Sequence, residues 1–290
     1  MRYMVVVILL GILIILYLKK NKDYKAGAYY QITKVPFFYI KRDLGRYGEY
    51  LIYENLKFFE QNGAKFLFNV YIPKQNGEKT EIDVLMISKR GIFVFESKNY
   101  SGWIFGSENQ KYWYQTLATG RGRSRKEHFY NPIMQNSSHI KHLKSLVGNQ
   151  IIMHSIIVFS DRCTLKRITV ENNDIRVIKR NQASYIVSNI YQDVLKDVLT
   201  ENDIIDIYNK LYPYTQISNI ERNRHIANIQ NKKAAESIRA FNMMNDEVKN
   251  GRCPRCGGIL VLRTATRGAN AGNRFLGCCN YPKCRYTRNI

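Results

Sequence analysis

Acidic side chains are scarce in this chain. Its 290 residues hold 23 Asp and Glu against 45 Lys and Arg, a formal net charge of +22. Self-repulsion on that scale opposes compaction unless a polyanion screens it, so nucleic acid or an anionic membrane surface is the expected partner. Cysteine is absent before Cys163, which stands alone; Cys253, Cys256, Cys278, Cys279 and Cys284 crowd into the tail. That distribution excludes a disulfide framework and points to metal in a reducing compartment. No internal repeat is present, which excludes a solenoid. What the chain does have is 45% hydrophobic residues, too many for wholesale disorder and enough for one sizeable core with smaller attachments.

Long apolar runs are also few. One, from Tyr3 to Leu18, carries no charge. As a helix it spans roughly 24 Å, short of the ~30 Å hydrocarbon core, and Tyr3, Tyr17, Lys19 and Lys20 are placed to make up the difference at the interfaces. A cleaved signal peptide would need a small-x-small site after the run, where Lys19-Lys20-Asn21-Lys22 stands instead. A buried core helix would still show a polar face. The reading is a single-pass transmembrane helix in the cell membrane. Lys19, Lys20, Lys22 and Lys25 outnumber Arg2, which places the soluble part in the cytoplasm.

After a mixed juxtamembrane stretch, helical spacing of Leu51, Ile52, Leu56 and Phe59 predicts a helix from Gly45 to about Asn62-Gly63. Phe66 to Ile72 reads as a strand, and residues 80–102, TEIDVLMISKRGIFVFESKNYSG, as two more around a turn at Lys89-Arg90-Gly91. Trp103–Phe105 and Tyr112–Thr116 suggest a hairpin, and Gly120 to Lys126 a flexible basic loop. A helix is expected from Pro132 to Leu146, strands at Ser155–Phe159 and Ile175–Ile178, and helices across 183–211. This order predicts an α/β fold with a mixed central sheet. Residues 215–249, with Ile217, Ile220, Ile226, Ile229, Ile238 and Phe241 thinly spaced among polar residues, read as a long, thinly amphipathic helix that serves as a spacer or a weak self-association element.

The strands of residues 80–102 carry charge where a core should not. Glu96 and Lys98, two apart, share a strand face, with Asp83 on the neighbouring strand. Uncompensated carboxylates in a packed sheet are costly. Two explanations stand: a divalent metal held by Asp83 and Glu96 with Lys98 assisting a water or the transition state, or a salt bridge between Lys98 and one acid. Glu81, in phase with Asp83, is a further candidate ligand.

Residues Gly45 to about Ser160 resemble the NERD (nuclease-related) domain of the PD-(D/E)xK superfamily. The resemblance rests on Gly48-Glu49 opening the first helix, Glu81-Ile82-Asp83, Gly91-Ile-Phe-Val-Phe-Glu96-Ser-Lys98 followed by Tyr100, Gly102 and Gly106, and Asn131-Pro132 with Gln135. It implies a restriction-endonuclease-like core in which Asp83 and Glu96 hold Mg²⁺ or Mn²⁺, Lys98 assists hydrolysis, Glu49 completes the metal site and Gln135 lines the cleft. Against these roles, Glu49 also suits a solvated carboxylate at a helix start, and Gln135 an exposed amide.

In the tail, Cys253-Pro-Arg-Cys256 and Cys278-Cys279-Asn-Tyr-Pro-Lys-Cys284 supply four thiolates for a tetrahedral Zn²⁺, with Cys278 or Cys279 as the third ligand. Phe275-Leu-Gly-Cys278, Leu262-Arg-Thr-Ala-Thr-Arg-Gly and Asn280 to Thr287 resemble the zinc ribbon of bacterial type I topoisomerases, and that resemblance selects Cys278. Gly251 to Ile290 contains no acid. Arg263, Arg267 and Arg274 interleave with Phe275, Tyr281 and Tyr286, a combination suited to single-stranded nucleic acid, cations following phosphates and rings stacking on bases. A structural or protein-binding ribbon is the alternative. Nothing resembles the nucleophilic-tyrosine core of a topoisomerase.

The expected organisation is an anchor at 1–22, a juxtamembrane segment at 23–44, the nuclease-like domain at 45–212, a helical linker at 213–250 and the ribbon at 251–290. Function is expected to be metal-dependent DNA hydrolysis at the membrane, on single-stranded or branched DNA. A catalytically inactive DNA-anchoring protein and a signalling protein bound to anionic lipid are the alternatives.

Overall fold

The β-hairpin at the centre of the chain forms where its sequence predicts. Strands β2 (Lys79–Ser88) and β3 (Gly91–Lys98) pair antiparallel from Ser88 opposite Gly91 to Val84 opposite Phe95. Gly91 turns the corner at φ +107°, and a Cβ there would lie 2.5 Å from the Ile152 carbonyl oxygen, so no other residue fits. The structure, a computed structural model, describes residues 2–120, 122–193, 197–218, 220–231, 234, 250–265 and 272–289. Two units divide at Ile217 and Ser218.

In the first unit, β1 (Lys65–Pro73), β2, β3, β7 (Met153–Phe159) and β9 (Ile175–Lys179) form one sheet in the order β1-β2-β3-β7-β9. The first three strands are antiparallel; β7 and β9 run parallel to β3. The mixed central sheet is as expected. Helix α4 (Leu44–Gln61), N-capped by Asp43, buries Ile52, Leu56 and Phe59. Helix α5 (Pro132–Val147), N-capped by Asn131, buries Ile133 and Leu143. The two pack on opposite faces. Gly48 of α4 abuts Ser97, whose Oγ would lie 2.9 Å from a Cβ added there, whereas His139 of α5 meets Glu96, and neighbouring residues of a strand point to opposite faces. Helices α6 (Ala183–Asp193) and α7 (Glu201–Leu211) add Val187, Ile204, Ile207 and Leu211 to the core.

Residues 23–44 do more than connect. Within them lie α2 (Ala28–Thr33) and α3 (Phe37–Ile40), and Tyr24, Tyr29, Ile32, Phe37 and Ile40 are buried in the same core as α4. Tyr24 and Tyr29 sit against Tyr50, ring centroids 5.2 and 5.6 Å apart. The sequence shows no run or period here because the helices are one turn long or little more.

Helix α1 (Arg2–Ala26) occupies the apolar N-terminus. Its side chains from Val5 to Leu18 are almost all exposed, with Val7 at 67% and Leu18 at 58%. Among the described residues no helix is long and apolar enough to cross a membrane, so the transmembrane helix expected at 1–22 is not found; Val5 to Leu18 would cover about 21 Å, short of the ~30 Å hydrocarbon core.

A second sheet, order β6-β5-β4-β8, comprises β4 (Gly102–Ser107), β5 (Tyr112–Gly120), β6 (Arg123–Tyr130) and β8 (Cys163–Thr169). The expected hairpin of β4 and β5 is present. Arg123 to Lys126 are not a loop, however: they open β6 and pair with β5, with Gly120 and Gly122 at positive φ near the turn. Neither β6, RSRKEHFY, nor β8, CTLKRIT, has an apolar run to announce a strand. Pairing to β5 and β4 makes them strands. The inner face packs Ile104 and Trp113 on Ile133, Ile157 and Phe159.

In the second unit, residues 220–231 are helical, with Ile220, Ile226 and Ile229 exposed; Ile238 and Phe241 of the expected spacer lie outside the described residues. Strands β10 (Leu260–Thr264), β11 (Arg274–Cys278) and β12 (Thr287–Asn289) form an antiparallel ribbon.

Candidate active site and zinc centre

The β2–β3 ladder stops at Val84 opposite Phe95, so Asp83 is the first β2 residue beyond it. Its Oδ2 accepts the Ser97 amide at 2.7 Å, a side chain standing in for a strand carbonyl. Glu96, 1% exposed, receives Lys98 Nζ on Oε1 at 2.6 Å and faces His139 Nε2 with Oε2 at 3.1 Å. Lys98 Nζ also donates to Gln135 Oε1 at 3.1 Å. His139 Nδ1 lies 2.8 Å from Thr80 Oγ1. Helix α5 thus supplies two neighbours four residues apart, one helical face: Gln135 steadies the ammonium, His139 the carboxylate.

Glu49 approaches from the α4 side. It is buried rather than solvated, and its Oε2 accepts from Asn69 Nδ2 at 2.6 Å and Tyr29 OH at 3.1 Å. Asn69 holds φ +51° inside β1, and the β1–β2 register skips it between Phe68–Val84 and Val70–Ile82, which puts it across from Asp83. A left-handed residue in a strand costs on the order of 1–3 kcal/mol, so local strain sits beside the acids. Glu81 accepts from Tyr71 OH at 2.5 Å.

The charges act on one another. Burial, then the Glu96 and Glu49 carboxylates, push Asp83 well above the usual carboxylate range. Burial pushes Glu49 up to about 7 against the hydrogen bond from Asn69. For Glu96 burial acts upward too, but Lys98 and His139 outweigh it and hold the group below its ordinary value. Burial pulls Lys98 down, while Glu96 and Asp83 overcome that and raise it. Three buried carboxyls therefore act on one another beside one lysine, and the repulsion that favours the proton on Asp83 and Glu49 is of the kind a bound cation relieves. Beside Lys98 a shallow depression is lined by Gly48, Ser97, Asn99, Ser160 and Arg180.

In the ribbon, Cys253, Cys256, Cys278 and Cys284 bring their sulfurs within 4.8 Å of one another. Cys253–Cys284 and Cys256–Cys278 are 3.7 and 3.3 Å apart, close to the ~3.8 Å edge of a tetrahedron with Zn–S of ~2.3 Å. Among the described residues this is the group of three or more His, Cys, Asp or Glu ligand atoms that gathers so closely; the carboxylates around Asp83 do not. Cys279 is exposed and turns its thiol to Asn280 Oδ1, so Cys278 is the ligand. The amide of Asn280 faces Cys278 Sγ at 3.4 Å. Arg263 pairs across the strands with Phe275 and lies 5.9 Å from the ring centroid of Tyr281, which is 62% exposed. Arg274 is exposed at the strand end, Tyr286 packs against the cysteine core, and Arg267 lies outside the described residues.

Residues 44–160 match the family described as nuclease-related domain, NERD, and residues 250–290 match the topoisomerase DNA binding C4 zinc finger. An uncharacterized protein of Bacillus anthracis is 31% identical over 192 residues, covering 66% of this chain and 86% of that protein. The chain belongs to the NERD family. DNA topoisomerase 1 of Archaeoglobus fulgidus is 54% identical over 37 residues, 13% of this chain and 5% of that enzyme. DNA topoisomerase 1 of Pyrococcus horikoshii is 47% identical over 48 residues, 16% of this chain and 7% of the enzyme. No solved structure matches the chain.

The C-terminal module of this NERD protein is thus a C4 zinc ribbon of the topoisomerase type, with Zn²⁺ on Cys253, Cys256, Cys278 and Cys284. The NERD match begins at residue 44, yet Tyr29 from before it holds Glu49. Sequence reasoning missed Tyr29, Asn69, Thr80 and His139. Of these His139 alone carried a signal, since it stands one helical turn from Gln135; the others meet the site through long-range contacts that no local pattern records.

Proposed function

We propose that this NERD protein is a metal-dependent nuclease that hydrolyses DNA phosphodiester bonds, held at the membrane by α1 and on DNA by its zinc ribbon. The observation that carries it is the meeting of Glu49, Asp83, Glu96, Lys98 and Gln135, drawn from α4, β2, β3 and α5, at one buried strand end. Crowded carboxylates with a single ammonium fit Mg²⁺ or Mn²⁺ by their donor chemistry, with Asp83 and Glu96 as the holding residues and Glu49 beside them. Bound there, such an ion would supply a Lewis acid and an activated water. Lys98, raised in pKa by its acidic neighbours, is charged at neutral pH. It therefore serves as a donor to phosphoryl oxygens and not as the base. Hydrolysis joins the water oxygen to phosphorus, breaks one P–O ester bond and leaves the water's protons on the two products. Asn99 and Arg180, the latter ion-paired with Asp161, line the depression beside Lys98 where a DNA backbone would approach.

The ribbon supports the DNA part of the reading through the family description it matches, and exposed Tyr281 beside Arg263 favours unpaired bases. Membrane attachment is supported by the exposed apolar run of α1 and by Lys19, Lys20, Lys22 and Lys25 beside it, cations that suit an anionic lipid surface. A non-catalytic DNA-anchoring protein is the second reading, favoured by the 2.6 Å ion pair that engages Glu96 Oε1. Cleavage of labelled single- and double-stranded DNA with Mg²⁺ or Mn²⁺ separates them. The hydrolase reading expects cleavage to fall at least ~100-fold in Asp83→Ala and in Lys98→Ala, since electrostatic and metal-holding groups contribute several kcal/mol to the transition state. Full activity in Asp83→Ala sinks it.

A further inference from the structure

The second sheet has a face the hydrolase site does not use. Strand alternation turns Ile104, Trp113 and Phe129 inward onto the core. Outward, the register aligns Trp103 with Thr116 and Thr164, Phe105 with Tyr114 and Arg167, Tyr114 with His128, Thr116 with Lys126, and Tyr112 with Tyr130. Five aromatic rings and a histidine therefore share one face of four strands. Phe105 and Tyr114 stack at 4.8 Å and 10°, Tyr112 and Tyr130 meet edge-on at 6.3 Å, and Tyr114 lies tilted against His128 at 5.9 Å. Cations cover them. Lys126 Nζ is 3.5 Å from the centroid of Tyr114, and Lys166 Nζ is 5.4 Å from that of Trp103, itself 51% exposed. No carboxylate stands at any of these paired outward positions, because Glu127 pairs with Gln115 on the inward side. No aliphatic residue larger than Ala118 stands there either.

We propose that this outward face binds single-stranded DNA, bases stacking on Trp103, Phe105 and Tyr114 while Lys126, Lys166 and Arg167 follow the phosphates. Rings interleaved with cations and free of acids are the chemistry such strands require, and a duplex hides the base faces the rings would meet. A lipid surface would call for aliphatic side chains, which are missing. Trp103 follows Lys98 by five residues, at most about 18 Å of chain, so a strand held here starts close to the candidate active site. The choice of DNA over another polyanion rests on the hydrolase reading; binding is measured apart from cleavage.

The chain holds two tryptophans, Trp103 and Trp113. Trp113 is buried and stacked parallel to Phe159 at 6.2 Å, and the ribbon has none. Tryptophan emission therefore reports this face. The test titrates a short oligothymidylate into full-length protein in detergent, in an Asp83→Asn background without added divalent cation, and reads emission and oligonucleotide anisotropy. Expected are quenching on binding, about tenfold weaker binding for Trp103→Ala and for Tyr114→Ala, and retained affinity with lost quenching for Trp103→Phe. Lys126→Glu, an exposed change that leaves the fold intact, should weaken binding similarly. Unquenched emission, or binding by Lys126→Glu and Trp103→Ala equal to the parent, overturns the proposal and leaves the ribbon as the DNA holder. Loss of binding to anionic vesicles with DNA binding unchanged overturns it in favour of lipid. Quenching without cleavage by the unmutated chain would remove the hydrolase reading alone; cleavage without quenching would remove this face alone.

Discussion

Glu49 and Glu96 are both buried carboxyls, yet their neighbours give them opposite preferences for the proton. Glu96 has an ammonium and an imidazole and stays ionised; Glu49 has an amide and a phenol and is pushed up to about 7. A group raised in the folded state stabilises the fold fully below its unfolded value of 4.5, and that contribution is lost as pH rises through about 7. The loss amounts to roughly 3 kcal/mol for a shift of this size, and Asp83 acts in the same direction. Glu49→Gln keeps an acceptor for Asn69 and Tyr29 while removing the charge. Urea unfolding without divalent cation should therefore show wild-type stability falling between pH 5 and 8, and a flatter profile, higher at pH 8, in Glu49→Gln. At this scale Glu96 and Lys98 were legible because a two-residue period is local. Asn69 was not, because its left-handed turn is explained only by the acid it reaches on another element.

The short helices of residues 23–44 change what counts as the domain. Tyr24, Tyr29, Ile32, Phe37 and Ile40 are core residues, and burying five such side chains contributes roughly 10 kcal/mol, comparable to the whole stability of a domain. Removal of residues 1–22 should leave the thermal unfolding of the soluble part unchanged while abolishing sedimentation with anionic vesicles. Removal of 1–43 should yield protein that is unfolded or aggregated by circular dichroism. Vesicle binding that persists without 1–22 would move the anchor elsewhere. The β5–β6 hairpin shows the same limit on local reading. Its basic residues signal solvent, which is correct, but strand character came from pairing with β5, Arg125 opposite Leu117 and Lys126 opposite Thr116.

The two units make separate demands on the molecule. The ribbon buries Cys253, Leu260, Cys278 and Cys284 with Leu276 and Tyr286 packed against them, too small a core to fold without metal. Stripping zinc with a chelator should unfold this unit, seen as loss of its β signal and about tenfold or greater weakening for single-stranded DNA, while the melting of the NERD unit stays within a few degrees. Coincident loss of both transitions would show that the units depend on each other.

Short-range patterns sufficed for the cysteine quartet, the central strands with their acids and lysine, and the helices that flank them, since spacing within one strand, helix or knuckle is set by backbone geometry alone. Contacts across the chain decided the rest: which face each helix covers, that Tyr29, Asn69 and His139 stand among the acids, that a polar stretch becomes a sheet edge, and that six rings share one surface. Those outcomes follow from register and packing between distant segments, where the free energy of a residue depends on neighbours that its own sequence window does not contain.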